Sequence, residues 1–207
     1  MQSLTDVPLD TLPYYSVRVG TFAGVEGAII ATTGYTGSGG IEVYFPNASA
    51  VEVWESVMKA GAPFGIQPVG LAARDTLRLE MGYCLYGHEI NDTTNPIAAG
   101  LGWITKPHET NLAHAWLTAQ KVQPQSEKLI GFRMQEKGIP RADYNLCDDK
   151  HQKIGQVTSG TMAPSLSVGV GMGYVSSSNT AIGQTVFVEI RGKYHPATIV
   201  KLPFYTL

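Results

Sequence analysis

Several things are scarce in this chain, and each scarcity narrows its function. There are two cysteines in 207 residues, Cys84 and Cys147. They stand far apart with no C-x-x-C or histidine spacing, which argues against a structural metal site and makes a reducing compartment the default. Charged residues are 15% of the chain, the formal net charge is -2, and no run of Lys or Arg occurs. A nucleic-acid partner held by phosphate neutralisation is therefore not expected. The short basic pair flanking Gly192, Arg191 and Lys193, reads as a solvated hairpin end. No apolar run is long enough to cross a bilayer, and the N-terminus lacks a charged-then-apolar signal pattern. No internal repeat or low-complexity tract is apparent. The expectation is a cytoplasmic protein, or a mitochondrial-matrix one if the source is eukaryotic, with no membrane partner.

What is present is a globular composition, 43% hydrophobic with a mean hydropathy of -0.02. That suffices for one sizeable core or two small ones. Residues 14–19 and 27–32 read as strands, with a third at 41–45. Asn47 is a candidate N-cap for a helix over 48–60, whose apolar residues Val51, Trp54, Val57 and Met58 follow a helical period. Residues 71–78 predict a second helix offering Leu71, Leu77 and Leu79 to a core. Residues 100–104 read as a strand and 112–121 as a short helix. After a linker near Pro124, short strands at 128–134, 145–147, 154–158, 168–175, 185–190 and 195–201 suggest a small β-barrel. The expected fold class is α+β: a sheet-plus-helix half-domain over residues 1–124, then a C-terminal β-barrel over 125–207.

The most informative segment is Gly34-Tyr35-Thr36-Gly37-Ser38-Gly39-Gly40-Ile41-Glu42-Val43. Its glycines allow positive φ and close approach of the backbone to a ligand. Glu42, at the strand entrance, can accept paired hydrogen bonds from a flat, nitrogen-rich ring. Such a segment by itself also fits a plain turn. Three more accompany it: Gly70-Leu71-Ala72-Ala73-Arg74-Asp75-Thr76-Leu77-Arg78-Leu79-Glu80, then Gly82-Tyr83-Cys84-Leu85-Tyr86-Gly87-His88-Glu89-Ile90, and Ile154-Gly155-Gln156-Val157-Thr158-Ser159-Gly160-Thr161 with Pro164-Ser165-Leu166 and Met172-Gly173-Tyr174-Val175 behind it.

In that order and spacing the four segments resemble the T-protein of the glycine cleavage system, a folate-dependent aminomethyltransferase, over roughly Leu4 to Leu207. The resemblance implies a three-lobed ring with folate in a central hole. The implied reaction moves a one-carbon unit from the aminomethyl-lipoyl arm of a lipoylated H-protein to tetrahydrofolate, releasing ammonia. It implies that Glu42 hydrogen-bonds the pterin, that Arg74 contacts folate, and that Tyr205 contributes from near the C-terminus. Trp103 is a further candidate for the folate hole. Each has a structural alternative. Glu42 could be an exposed strand acid, Arg74 an ordinary helix-surface residue near Asp75 and Arg78, and Trp103 a core residue. Arg141 is expected in a structural salt bridge, Tyr83 and Tyr86 in sheet packing, and the His88-Glu89 pair in an architectural role.

The chain departs from the family pattern in two ways. Ser38 and Gly39 stand where acidic residues are usual, leaving Glu42 intact. The family's essential catalytic aspartate lies in an N-terminal portion to which no segment here corresponds, so no catalytic residue is assigned and the chain reads as a C-terminal portion. A missing lobe would leave apolar surface uncovered, and association or instability in solution is expected. Competing readings are a non-catalytic folate-binding module and a folate-binding protein of iron–sulfur assembly, whose Lys-Gly-Cys-Tyr-x-Gly-Gln segment is only partly met at Gly82 to His88. The folate domain of a sarcosine-type dehydrogenase also competes, without a flavin-binding GxGxxG to support it.

Overall fold

Two antiparallel strands joined by a two-residue turn begin the fold of a computed structural model that describes residues 1–205. These are β1 (Val17–Phe22) and β2 (Val25–Ala31), with β3 (Glu42–Tyr44) on the far side of β2. The turn residues Ala23 and Gly24 both have positive φ, 49° and 85°, the geometry whose twist matches the flanking strands. Helix α1 (Ala50–Gly61) packs on one sheet face, where Ala28, Ile30, Val53 and Phe22 are buried and Val43 and Val57 close the cluster. These elements form a first compact unit, Met1–Arg74. Helix α2 (Leu71–Glu80) begins in it and ends in the second unit, which starts at Asp75.

The second unit contains α3 (His114–Val122) and a closed barrel. Its strands are β4 (Glu127–Met134), β5 (Asn145–Cys147), β6 (Lys153–Ala163), β7 (Val168–Ser176), β8 (Thr185–Ile190) and β9 (Lys193–Val200). Around the barrel the order is β4-β7-β6-β5-β8-β9, and β9 closes onto β4 from Gly131↔Val200 to Met134↔Ala197. Alternate residues point inward: Ile130, Phe132 and Met134 of β4 meet Leu146, Val157, Val175, Val186, Val188, Ala197 and Ile199 in one core. Phe132, Leu146, Val186, Val188 and Ala197 are fully buried, and each large one contributes about 1.5–3 kcal/mol. Gly155 permits the β6–β7 contact, because a Cβ there would lie 1.9 Å from the Tyr174 carbonyl oxygen. Among the described residues no helix is long and apolar enough to cross a membrane.

The mixed helix-and-sheet class and the C-terminal barrel agree with the sequence reading; several elements do not. The first strand starts at Val17 rather than residue 14, because Tyr15 has a φ of 62°. Asn47 is not a cap: it opens a 3-10 turn, Asn47–Ser49, and α1 starts after it without a side-chain cap. The inward stripe of α1 is Val53 and Val57, while Val51 and Trp54 are exposed. Of the three leucines of α2 only Leu79 is buried; Leu71 and Leu77 face solvent. The expected strand at 100–104 is a set of tight turns, with Leu101 N–H donating to the Pro96 carbonyl (2.9 Å) and Thr105 N–H to Leu101 (3.1 Å). Gly100, at φ 75°, breaks the extension that the apolar residues suggested. Strand β6 runs well past residue 158, since its polar half Thr158-Ser159-Gly160-Thr161 still pairs with β7 across a bulge.

Candidate functional site

Glu42 and Arg74 converge on the same loop of the first unit. Thr32, buried at the end of β2, donates its hydroxyl to the Pro13 carbonyl (2.5 Å) and accepts from Ser16 N–H (3.0 Å), which fixes the loop's start. The next residue, Thr33, donates its hydroxyl to Glu42 Oε2. Glu42, half-buried, lies opposite Ala31 in the sheet register. The Arg74 guanidinium sits 4.9 Å from the centre of the Tyr35 ring, a cation–π contact. The loop is thus tied by the carboxylate at its base and by the arginine at its tyrosine. Only Gly37 in it has positive φ, 73°. A Cβ placed on Gly34, Gly39 or Gly40 would meet nothing within 4 Å, so these glycines leave open space beside the acid.

Adjacent residues in one strand point to opposite faces, and cross-strand partners share a face. Glu42 therefore shares its face with Ala31, Val17, Val19, Ile29 and Tyr44, through the registers Val17↔Ala31↔Glu42 and Val19↔Ile29↔Tyr44. The helix α1 covers the other face. A carboxylate beside a flat apolar surface is suited to a planar ring whose edge carries N–H donors.

In the second unit the sequence reading missed the most heavily engaged charges. Arg78 is fully buried and donates to Glu89 Oε2 (2.9 Å), Asp75 (2.7 Å), Ser159 Oγ (2.8 Å) and the Tyr83 carbonyl (3.0 Å). Glu89, equally buried, also accepts from Leu85 N–H (2.9 Å) and Thr158 Oγ1 (2.6 Å). Asp75 is thus engaged by Arg78. Glu89 is architectural, as read, and so is Tyr174, whose hydroxyl donates to the Glu89 carbonyl (2.8 Å). Burial, with the nearby Cys84, Glu127 and Glu89, pushes the Tyr174 phenol up. Cys84 is pushed up to about 11 by burial and then by Glu89, with Arg78 opposing.

Glu80 does for the C-terminal segment what Arg78 does for the barrel. Its carboxylate accepts from Ser165 N–H (3.0 Å) and Oγ (2.8 Å), and its carbonyl from the N–H groups of Phe204 (2.8 Å) and Tyr205 (3.2 Å). Tyr205 is therefore held at the end of α2. Trp103 is 70% exposed, not a core residue. Arg141 is exposed and joins none of the ion pairs among the described residues, contrary to expectation. Tyr86 is exposed and bonds Asp92 instead of packing a sheet. Neither of two cavities of about 510 Å³ is lined by Glu42, Arg74, Trp103 or Tyr205: one is a polar cleft of the barrel around Lys153 and Tyr174, the other an apolar groove between β3 and α1.

Comparison with known proteins gives a consistent result. The model of the GCVT N-terminal domain matches residues 1–109, and that of the glycine cleavage T-protein C-terminal barrel domain matches residues 127–206. The aminomethyltransferase of Flavobacterium psychrophilum is 52% identical over 205 residues, covering 99% of this chain and 57% of the relative. That of Phocaeicola vulgatus is 50% identical over 206 residues, with the same coverage. The crystal structure of glycine cleavage system aminomethyltransferase T from Bartonella henselae superposes with a TM-score of 0.86 at 32% identity, covering 96% of this chain and 54% of that one. The chain spans 57% of the length of these curated relatives.

Proposed function

The chain belongs to the glycine cleavage T-protein family, and on that premise we propose that it forms the folate-holding part of an aminomethyltransferase. The substrate is tetrahydrofolate. Glu42 accepts hydrogen bonds from the pterin edge, Arg74 engages the anionic glutamate tail, and Trp103 and Tyr205 complete the folate contacts. The transferred carbon arrives as the aminomethyl group on the lipoyl arm of a lipoylated H-protein. Its bond to nitrogen breaks with release of ammonia, and the carbon ends bridging two folate nitrogens as methylene-tetrahydrofolate while the lipoyl sulfur leaves as a thiol. We take the working division of labour as residues 1–124 for folate and residues 125–207 for the supporting barrel, in the cytoplasm or, in a eukaryote, the mitochondrial matrix.

The observation carrying this reading is the shared loop: Thr33 and Tyr35 are two residues apart, one bonded to Glu42 and the other under Arg74. The donor set fits the group. A carboxylate next to an apolar sheet face suits the pterin, and an exposed arginine suits the tail. A second reading is supported by the chain's 57% span of its relatives: these residues hold folate, and the group that acts at the transferred carbon, an aspartate in the family, is supplied outside them.

Calorimetric titration with tetrahydrofolate under reducing conditions tests both. Binding that Glu42→Ala weakens by about 10- to 100-fold, as for an orphaned pair of ring donors worth about 1–3 kcal/mol, supports the folate site. Equal binding by the variant removes Glu42 from it. Turnover of an aminomethylated H-protein by the 207-residue chain alone would overturn the second reading.

A further inference from the structure

A glutamate side chain that is not held samples several rotamers. A receptor for the edge of a flat ring needs one of them, because paired hydrogen bonds form only when the carboxylate lies in the plane of the ring's donors. Glu42 is half-buried, and no ion pair among the described residues engages it. A neutral donor does: the Thr33 hydroxyl, on Oε2. Thr33 is itself firmly placed, because it follows Thr32, which is buried and bonded through three groups. The Thr32 N–H donates to the Ser16 carbonyl (2.9 Å) and its carbonyl accepts from Tyr15 N–H (3.0 Å). Its hydroxyl accepts from Ser16 N–H (3.0 Å) and donates to the Pro13 carbonyl (2.5 Å). The β2–β3 pairing ends at Ala31↔Glu42, so Thr33 and Glu42 face each other across the mouth of the glycine loop. A β-branched side chain on so fixed a backbone has few χ1 choices, and its hydroxyl is aimed before any ligand arrives.

We infer that Thr33 is a positioning residue: its hydroxyl locks the Glu42 carboxylate in the orientation that receives the pterin edge. The pterin part of this statement rests on the function proposed above. One carboxylate can serve both partners. Ionised, it offers about four lone-pair sites; Thr33 takes one on Oε2, which leaves both oxygens free to accept two parallel bonds from a ring. A neutral hydroxyl orients the acid without cancelling the charge that strengthens its bonds to ring donors. The gain is preorganisation, since a carboxylate already held gives up no rotamer freedom when the ring docks. Without the hydroxyl Glu42 gives up that freedom on binding, and tetrahydrofolate is expected to bind about 3- to 10-fold more weakly. A threonine that merely shaped the loop would behave differently, because its loss would be felt whether or not Glu42 were present.

The test is calorimetric titration of the 207-residue chain with tetrahydrofolate under reducing conditions. Wild type is set beside Thr33→Val, Thr33→Ser, Glu42→Ala and the double variant Thr33→Val/Glu42→Ala, each checked for folding by circular dichroism. Thr33→Val keeps the branched shape and removes the hydroxyl, and is expected to show the about 3- to 10-fold loss. Thr33→Ser is expected to restore binding to within about 2-fold, and the double variant to bind no worse than Glu42→Ala alone. Where Glu42→Ala weakens binding, Thr33→Val binding as tightly as wild type overturns the inference, as does a further loss in the double variant. A ligand-free measurement separates positioning from the folate assignment: three-bond couplings between Glu42 Cγ and its own backbone, in glutamate-labelled protein. One χ1 rotamer is expected in wild type and in Thr33→Ser, and averaging over rotamers in Thr33→Val. Identical couplings in all three overturn the inference. Averaging in Thr33→Val, together with unchanged affinity in Glu42→Ala or no binding by wild type, upholds the positioning of Glu42 and overturns its assignment to the pterin.

Discussion

Replacing Glu89 with alanine leaves the Arg78 guanidinium buried without its buried counter-charge. The Arg78 side chain is 1% exposed and that of Glu89 0%, whereas the second acid on Arg78, Asp75, is 54% exposed. Breaking a buried pair from one side costs about 3–5 kcal/mol, and the same change strips Leu85 N–H and Thr158 Oγ1 of their acceptor. Glu89→Gln can keep its one oxygen for the donors on Oε2 but turns an amide NH2 toward Thr158 Oγ1, so it loses the charge and one acceptor and should cost about 2 kcal/mol. Asp75→Ala removes a hydrated partner and should cost less than about 1 kcal/mol. Urea unfolding followed by circular dichroism should order the three as Glu89→Ala, Glu89→Gln, Asp75→Ala. In thermal scans Glu89→Ala should melt about 6–20 °C below wild type. A Glu89→Ala protein within about 1 kcal/mol of wild type, or an Asp75→Ala protein equally damaged, would refute the view that α2 is fastened to the barrel through this pair.

Other perturbations separate packing from site chemistry. Gly155→Ala should destabilise the barrel by about 3 kcal/mol, since its Cβ would meet the Tyr174 carbonyl; Gly39→Ala, with open space around it, should be neutral within about 1 kcal/mol in the same urea titration. Phe132→Ala, at the centre of the barrel core, should cost about 3–5 kcal/mol; a loss under about 1 kcal/mol would mean that the core is not sealed there. For Cys84, raised from 9.0 to about 11, the folded state favours the thiol. Its contribution to stability is fully present below pH 9 and is lost as pH rises through about 11. Thiolate absorbance of a Cys147→Ala protein should be half-developed near pH 11, and a midpoint near 9 would contradict the burial of this thiol.

The barrel was legible because its strands carry their own punctuation. Arg191-Gly192 marks the β8–β9 turn, where both residues take positive φ, and the inward apolar residues of β4 and β8 alternate without interruption. Glu42 and Arg74 could be singled out from their segments, and the loop that joins them lies within the first of those segments. The helix expected over 112–121 is present as α3, but the strand expected at 100–104 is not. The apolar residues there suggested a strand, but no neighbouring strand pairs with them, and extension without a partner gains nothing over turns that bond locally. Arg78 escaped notice for a different reason. It resembles any surface arginine of a helix, and its burial depends on Glu89, eleven residues on, and Ser159, eighty-one residues on. No window of sequence contains that encounter. The extension of β6 was missed similarly, since a polar run becomes strand only because β7 lies beside it.

Closure of the barrel fixes an order of events during synthesis. Strand β4 emerges first of the six and finds its two neighbours only later, β7 and finally β9, whose Val200 pairs with Gly131. Until that last strand has left the ribosome, β4 and β8 each present an unsatisfied edge, the condition that invites pairing with other chains. Then Phe204 and Tyr205 latch onto Glu80, which was made long before them. A chain in which β9 has yet to pair therefore displays an open, adhesive sheet, so the burden of keeping nascent chains apart falls on the docking of this one strand.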